Sequence, residues 1–141
     1  MKLKLIMAGL LFVVVLSLLA CSPASKGVSI EVPIDEFMSQ KHVSQQIEVT
    51  AGESVKVTLG SNPTTGFQWE LPVISDEAVI EQEGQSEFVP PQEQIPGAGG
   101  KEIWTFKALK AGSSTVSMEY SRPWEGGEKA EWTFNLTVTV R

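Results

Sequence analysis

Apolar and polar residues alternate with a period of two over most of the chain after Val28. Such alternation places apolar side chains on one face of a β-strand, and no convincing helical period accompanies it. Turn signals rich in Gly, Pro, Asn and Asp separate the alternating segments. Short strands at this spacing predict an all-β fold, a sandwich of two antiparallel sheets. The clearest strands are predicted at 28–32, 47–49, 55–59, 67–71, 103–108, 116–120 and 132–140.

Three segments concentrate the residues that shape a backbone. Segments 61–66, 90–100 and 122–130 together hold five of the eight Pro and six of the twelve Gly. Because proline fixes φ and glycine permits positive φ, these are loops of defined shape. If successive strands reverse direction, loops two strands apart emerge at the same end. We therefore predict that all three cluster at one end of the sandwich, as binding loops do in immunoglobulin variable domains.

The four tryptophans fall into two groups. Trp69, Trp104 and Trp132 lie in predicted strands, where an indole is expected to pack in the core or on a sheet face. Trp124 instead follows a proline in a Gly-containing loop. From the residues alone, its side chain either fills the core or stands exposed as a contact for a partner.

The first 20 residues have the features of an export signal. Lys2 and Lys4 precede an uncharged run of 16 residues from Leu5 to Ala20, which is short for a transmembrane helix. The run ends in Leu18-Leu19-Ala20-Cys21, which resembles a bacterial lipobox. This resemblance implies cleavage before Cys21 and lipidation of its thiol and new amino group. The alternative is an ordinary secretory signal with a free or buried Cys21.

The predicted organisation is therefore a lipoprotein signal peptide (1–20), a lipidated tether (21–27) and one folded domain (28–141). Several acyl chains on Cys21 would hold the protein on the extracytoplasmic side of a bacterial membrane. The mature chain would carry nine basic and 17 acidic residues, a net charge of −8. This balance, without clustered Lys or Arg, argues against nucleic acid as a partner.

The chain lacks the residues that several classes of functional site require. With one Cys and one His, the chain cannot build a disulfide framework or a Cys/His zinc site. Cys21 is assigned to lipid, and His42 is expected on a strand surface. No nucleophile–base pair remains, and the acidic residues lack the spacing of a calcium loop. We expect no enzymatic activity, no metal and no cofactor.

The three loops carry short motifs in a fixed order. The first is Asn62-Pro63-Thr64-Thr65-Gly66-Phe67, the second contains Gly97-Ala98-Gly99-Gly100, and the third opens with Arg122-Pro123-Trp124. Each motif alone is weak. Together they resemble the N-P-T-T-G-aromatic, G-x-G-G and R-P-W loops of the chagasin-type inhibitors of papain-like cysteine peptidases. The resemblance extends over about residues 28–141.

This resemblance implies an immunoglobulin-like antiparallel sandwich that acts as a monomeric, reversible and occlusive inhibitor of papain-family peptidases. The 62–67 loop would enter the active-site cleft, and the loops at 97–100 and 122–124 would grip its two sides. The residues implied to contact the peptidase are Asn62, Pro63, Thr64, Thr65, Gly66, Phe67, Gly97, Gly99, Gly100, Arg122, Pro123 and Trp124.

Two other functions compete with this interpretation. The same loop end could serve a surface-anchored, immunoglobulin-like adhesion or assembly module. An envelope hydrolase is the third candidate, but a Ser or Thr with a distant His42 is a poor catalytic pair.

Overall fold

The computed structural model describes residues 26–141, which form two packed β-sheets. The first sheet contains, in spatial order, β1 (Gly27–Val32), β3 (Ser54–Ser61), β8 (Gly100–Ala108) and β6 (Ile80–Gln82), with β7 (Glu87–Val89) also paired to β8. The second contains β2 (His42–Val49), β10 (Trp132–Val140), β9 (Gly112–Ser121) and β4 (Gln68–Trp69), with β5 (Val73–Ile74) also paired to β9. The predicted all-β sandwich is confirmed. The predicted signal peptide and Cys21 lie outside the described residues.

The two outer strands on one side of the sandwich do not follow the predicted antiparallel pairing. β1 runs parallel to β3, and β2 runs parallel to β10. The other strand pairs are antiparallel. The difference arises because the chain leaves the first sheet after β1, forms β2 in the second sheet and returns to the first as β3, beside β1. Parallel neighbours require such a crossover connection.

The crossover contains the helix α1 (Ile34–Gln40), which the alternation pattern did not predict. Seven residues are too few to show a helical period and are only marginally helical in isolation. Phe37 supplies the missing stabilisation because its side chain is completely buried. Its ring lies 5.2 Å from that of Trp69 and stacks on that of Trp132 at 5.3 Å. The packing of Phe37 therefore stabilises helix α1, which closes one end of the sandwich.

The core follows the predicted alternation closely. Val55, Val57 and Leu59 of β3 point inward and are fully buried. Of the strand tryptophans, Trp69 and Trp104 are buried, while Trp132 is partly buried against the core. The buried Trp104 Nε1 has no hydrogen-bond partner in the described residues. Within residues 26–141, no helix has the length and hydropathy needed to cross a membrane.

Strand register brings the three unusual loops to one end of the sandwich. Ser61, the last residue of β3, pairs with Gly100, the first of β8. In the other sheet, Tyr120 near the end of β9 pairs with Trp132 at the start of β10. The Asn62 amide just after β3 donates to the Tyr120 hydroxyl at 2.7 Å, so the loops after β3, before β8 and after β9 emerge at the same end. The predicted clustering is confirmed.

Candidate functional site

The first loop is a rigid turn built around the side chain of Asn62. The Asn62 Oδ1 accepts hydrogen bonds from the Thr64 amide at 3.3 Å and from Thr64 Oγ1 at 2.6 Å. The Asn62 carbonyl accepts from Thr65 Oγ1 at 2.7 Å and from the Thr65 amide at 3.2 Å. Pro63, with its preset φ, begins the resulting 3₁₀ turn at Pro63–Thr65. Both threonines remain exposed at the tip.

Gly66 ends this turn, and two structural constraints favour glycine at this position. Its φ is +80°, in the left-handed region that side chains disfavour. A Cβ built there would also lie 2.7 Å from Cη2 of Trp124. The indole of the third loop thus packs directly over the backbone of the first.

The second loop is hydrogen-bonded to the first. Asn62 Nδ2 donates to the Gly97 carbonyl at 2.9 Å, and Gly97 itself is exposed with φ +81°. Gly99 faces Ile34 of α1, and a Cβ at Gly99 would collide with Ile34 Cδ1. The Gly-rich segment therefore fits between the first loop and the helix because it lacks side chains.

Arg122 joins the third loop to the first. Its Nε and Nη2 donate to the Thr65 carbonyl at 3.4 and 3.3 Å, and its Nη1 donates to Glu128 at 3.2 Å. The guanidinium also lies 4.4 Å above the centre of the Phe67 ring, a cation–π distance. The planar fork of arginine suits this combination of contacts. Arg122 is therefore a positioning residue that fixes the tip of the first loop.

Trp124 stands outside the core. Its side chain is 52% exposed, which decides between the two interpretations left open by the sequence in favour of the exposed one. The preceding Pro123 is exposed as well. The turn closes behind them through the Gly127 amide, which donates to the Trp124 carbonyl at 3.1 Å. The indole is held at the loop end but offers a large free surface.

Tyr120 is a site residue that the sequence did not reveal. Its hydroxyl accepts the Asn62 amide hydrogen bond at 2.7 Å, and its ring is buried and stacks on Trp132 at 4.7 Å. It therefore anchors the start of the first loop to the second sheet. Its place as the chain's one tyrosine, two residues before Arg122, is the only sequence signal.

Two residues predicted to contact a partner lie below the surface. Phe67 is only 9% exposed, stacked on Tyr120 with ring centres 5.5 Å apart and covered by Arg122. Gly100 is buried at the start of β8, where a Cβ would collide with the Val89 carbonyl. Because both residues are buried, they offer little surface to a partner and instead support the loops from beneath.

The tip of the first loop carries no charge, since residues 62–67 contain no ionisable side chain. Beneath it, Glu102 lies in a shallow pocket that Pro63 also lines. Burial raises the pKa of Glu102 above its ordinary value of 4.5, and a hydrogen bond from Ser86 Oγ at 2.7 Å opposes that shift.

Within residues 26–141, no group of three or more His, Cys, Asp or Glu is placed to hold a metal ion.

Comparison with known proteins shows which family this sequence belongs to. The sequence model of the chagasin family peptidase inhibitors (I42) matches residues 48–138. Chagasin from Trypanosoma cruzi is 34% identical over 91 residues, which cover 63% of this chain and 83% of the relative. This chain belongs to the chagasin family. The family match begins at the end of β2, so β1 and α1 lie outside it.

Solved structures support the same fold for this chagasin-family chain. The cysteine protease inhibitor EhICP2 from Entamoeba histolytica superposes with a TM-score of 0.59 at 22% identity, covering 82% of this chain and 97% of that one. PbICP-C, solved in complex with falcipain-2, superposes with a TM-score of 0.52 at 21% identity, covering 82% of this chain and 100% of that one. The two likenesses extend beyond the family match to most of the described residues.

Proposed function

We propose that this protein is a reversible inhibitor of papain-like cysteine peptidases and that it acts by occluding the active-site cleft. The observation that carries the proposal is the convergence of three hydrogen-bonded loops on one end, with the exposed, uncharged tip at Thr64 and Thr65. Membership of the chagasin family supports it. The complex of the structural neighbour PbICP-C with falcipain-2 supports the choice of target class.

The structure of the tip suits blocking better than cleavage. Attack by a cysteine thiolate requires an accessible carbonyl carbon whose oxygen can enter an oxyanion hole. In the first loop, the carbonyls of Asn62, Pro63 and Thr65 each accept a hydrogen bond within the protein. The 3₁₀ turn also keeps the segment from lying extended in the cleft. The loop would therefore fill the cleft as a poor substrate.

The remaining residues divide into contacts and supports. Thr64, Thr65, Gly97, Pro123 and Trp124 are exposed and would touch the peptidase. A frame that is hydrogen-bonded before binding reduces the entropy lost on association. The supporting residues are Asn62, Gly66, Phe67, Gly99, Gly100, Tyr120 and Arg122.

An inhibition assay with papain and a serine peptidase tests the proposal. The purified protein should inhibit papain reversibly and leave the serine peptidase active. Replacing Thr64 and Thr65 with arginine should weaken inhibition of papain strongly, because the enlarged tip no longer fits a narrow cleft. The matched control is Thr139→Arg, an exposed threonine on β10 near the opposite end of the sandwich. Slow cleavage of the protein with full recovery of papain activity would identify it as a substrate instead.

We also propose that Cys21 carries a lipid that holds the inhibitor on the extracytoplasmic face of a bacterial membrane. The support is the sequence Leu18-Leu19-Ala20-Cys21 at the end of the apolar run. Cys21→Ala should abolish labelling by a fatty-acid analogue and release the protein from the membrane fraction. An intact mass with unmodified Cys21 in the wild-type protein would contradict the anchor.

A further inference from the structure

Helix α1 lies at the same end of the sandwich as the three loops. β1 runs beside β3 toward that end, with Val32 paired to Leu59. β2 starts from the same end, where His42 pairs with Thr133 at the beginning of β10. The helix between them must therefore cross the sandwich at the loop end. It lies outside the family match, so the three loop motifs do not account for it.

The helix is fixed to two of the loops at its first residue. Ile34 packs against Gly60 at the base of the first loop, where a Cβ would lie 2.6 Å from Ile34 Cγ1. It also packs against Gly99 of the second loop, which has no room for a Cβ. With Phe37 buried between Trp69 and Trp132, α1 is held in place relative to the loop tips.

Met38 lies one helical turn beyond Ile34, so both face the same side of α1. It is 69% exposed, more than any of the loop-end apolar side chains already described. The two residues line a depression of about 460 Å³ together with the aromatic rings of Phe67, Tyr120 and Trp132. Asn62, Thr65 and Arg122 of the loops line it as well. The depression is thus continuous with the flank of the tip that would enter the cleft.

We propose that α1 is a fourth peptidase-contacting element, in which Met38 and the adjoining depression receive an apolar side chain from the rim of the peptidase cleft. This inference rests on the proposed function. The continuity of the depression with the first loop places any bound cleft rim beside α1. An exposed methionine contributes nothing to the core, but its flexible thioether adapts to a partner surface. The contact would add affinity that depends on the rim residue of each peptidase.

Methionine oxidation measures this contact directly. Dilute peroxide converts an accessible thioether to the sulfoxide. In the free protein Met38 should oxidise readily, and the buried Met118, 1% exposed, should resist as an internal control. Excess papain with its thiol blocked as the S-methyl derivative should slow Met38 oxidation several-fold. An unchanged Met38 rate in a complex verified by gel filtration would overturn the proposal.

Two variants provide an independent test. Met38→Ala preserves the helix, since alanine is the best helix former, and should weaken papain binding by about fivefold or more without changing the melting temperature. The matched control is Leu109→Ala, an exposed apolar residue just after β8 at the opposite end, which should bind as wild type. If wild type and Met38→Ala inhibit equally well, α1 is not a contact. If the wild type does not inhibit at all, the proposed function itself fails.

Discussion

Replacing Trp124 with alanine should separate binding from folding. The indole is 52% exposed, and its described contacts are the backbone of Gly66 and a long cation–π approach of 5.9 Å from Arg122. Such exposed contacts contribute about 1 kcal/mol or less to stability, so the melting temperature should change by only a few degrees. The same surface, buried by a peptidase, should behave as a binding hot spot.

The expected loss of binding is about 2 kcal/mol or more, which is roughly thirtyfold in affinity. Most of it should appear as faster dissociation, because truncation removes contacts made after encounter. Thermal melts and surface binding kinetics with papain measure the two quantities separately on the same protein.

Trp69→Ala is the matched control for a buried indole. Trp69 is 4% exposed, its Nε1 donates to the Gly60 carbonyl at 2.9 Å, and its ring packs against Phe37 and Tyr120 at 5.2 and 5.1 Å. Its truncation should cost about 3–5 kcal/mol of stability and lower the melting temperature by about 10 °C or more. If Trp124→Ala melts as low as Trp69→Ala while its folded fraction binds papain normally, Trp124 is a structural residue and not a binding residue.

Three further predictions concern residues beneath the loop tips. Arg122→Lys retains the charge but loses the fork that holds Thr65, so papain affinity should fall while the salt dependence of binding stays unchanged; equal affinity would contradict the positioning role. Gly66→Ala should lower stability by about 1–2 kcal/mol through its positive φ and weaken binding further by displacing Trp124, whereas a loss of stability alone would argue against coupling between the loops. For Glu102, burial raises the pKa because the folded state favours the protonated carboxyl. Stability is therefore full below pH 4.5 and falls as pH rises through the native pKa and the buried carboxyl ionises. Glu102→Gln should therefore match the wild-type melting temperature near pH 4 and exceed it near pH 7, and a constant difference between pH 4 and pH 7 would refute the assignment.

The sequence alone located the long strands and the loop end, although it gave neither the full length of β2 nor the parallel pairing of β1 and β2. Alternation marks the inward residues Val55, Val57 and Leu59 because a strand turns successive side chains to opposite faces. The three loops are recognisable because proline and glycine restrict or free the backbone locally. Their clustering follows from the reversals of strand direction between the loops, and it is confirmed by the pairing of Ser61 with Gly100 and by the hydrogen bond from Arg122 to the Thr65 carbonyl.

Only the tertiary structure decided the features that depend on distant residues. Helix α1 has too few residues to be stable alone, and it exists because Phe37 fills the end of a core built from both sheets. Phe67 belongs to a loop motif but is buried, since Tyr120 lies beneath it and Arg122 above it. Arg122 itself becomes a positioning residue because the fold brings it to the Thr65 carbonyl across 57 positions of sequence. Local sequence therefore determined which segments are strands and loops, whereas packing determined which loop residues face a partner and which hold the loops in place.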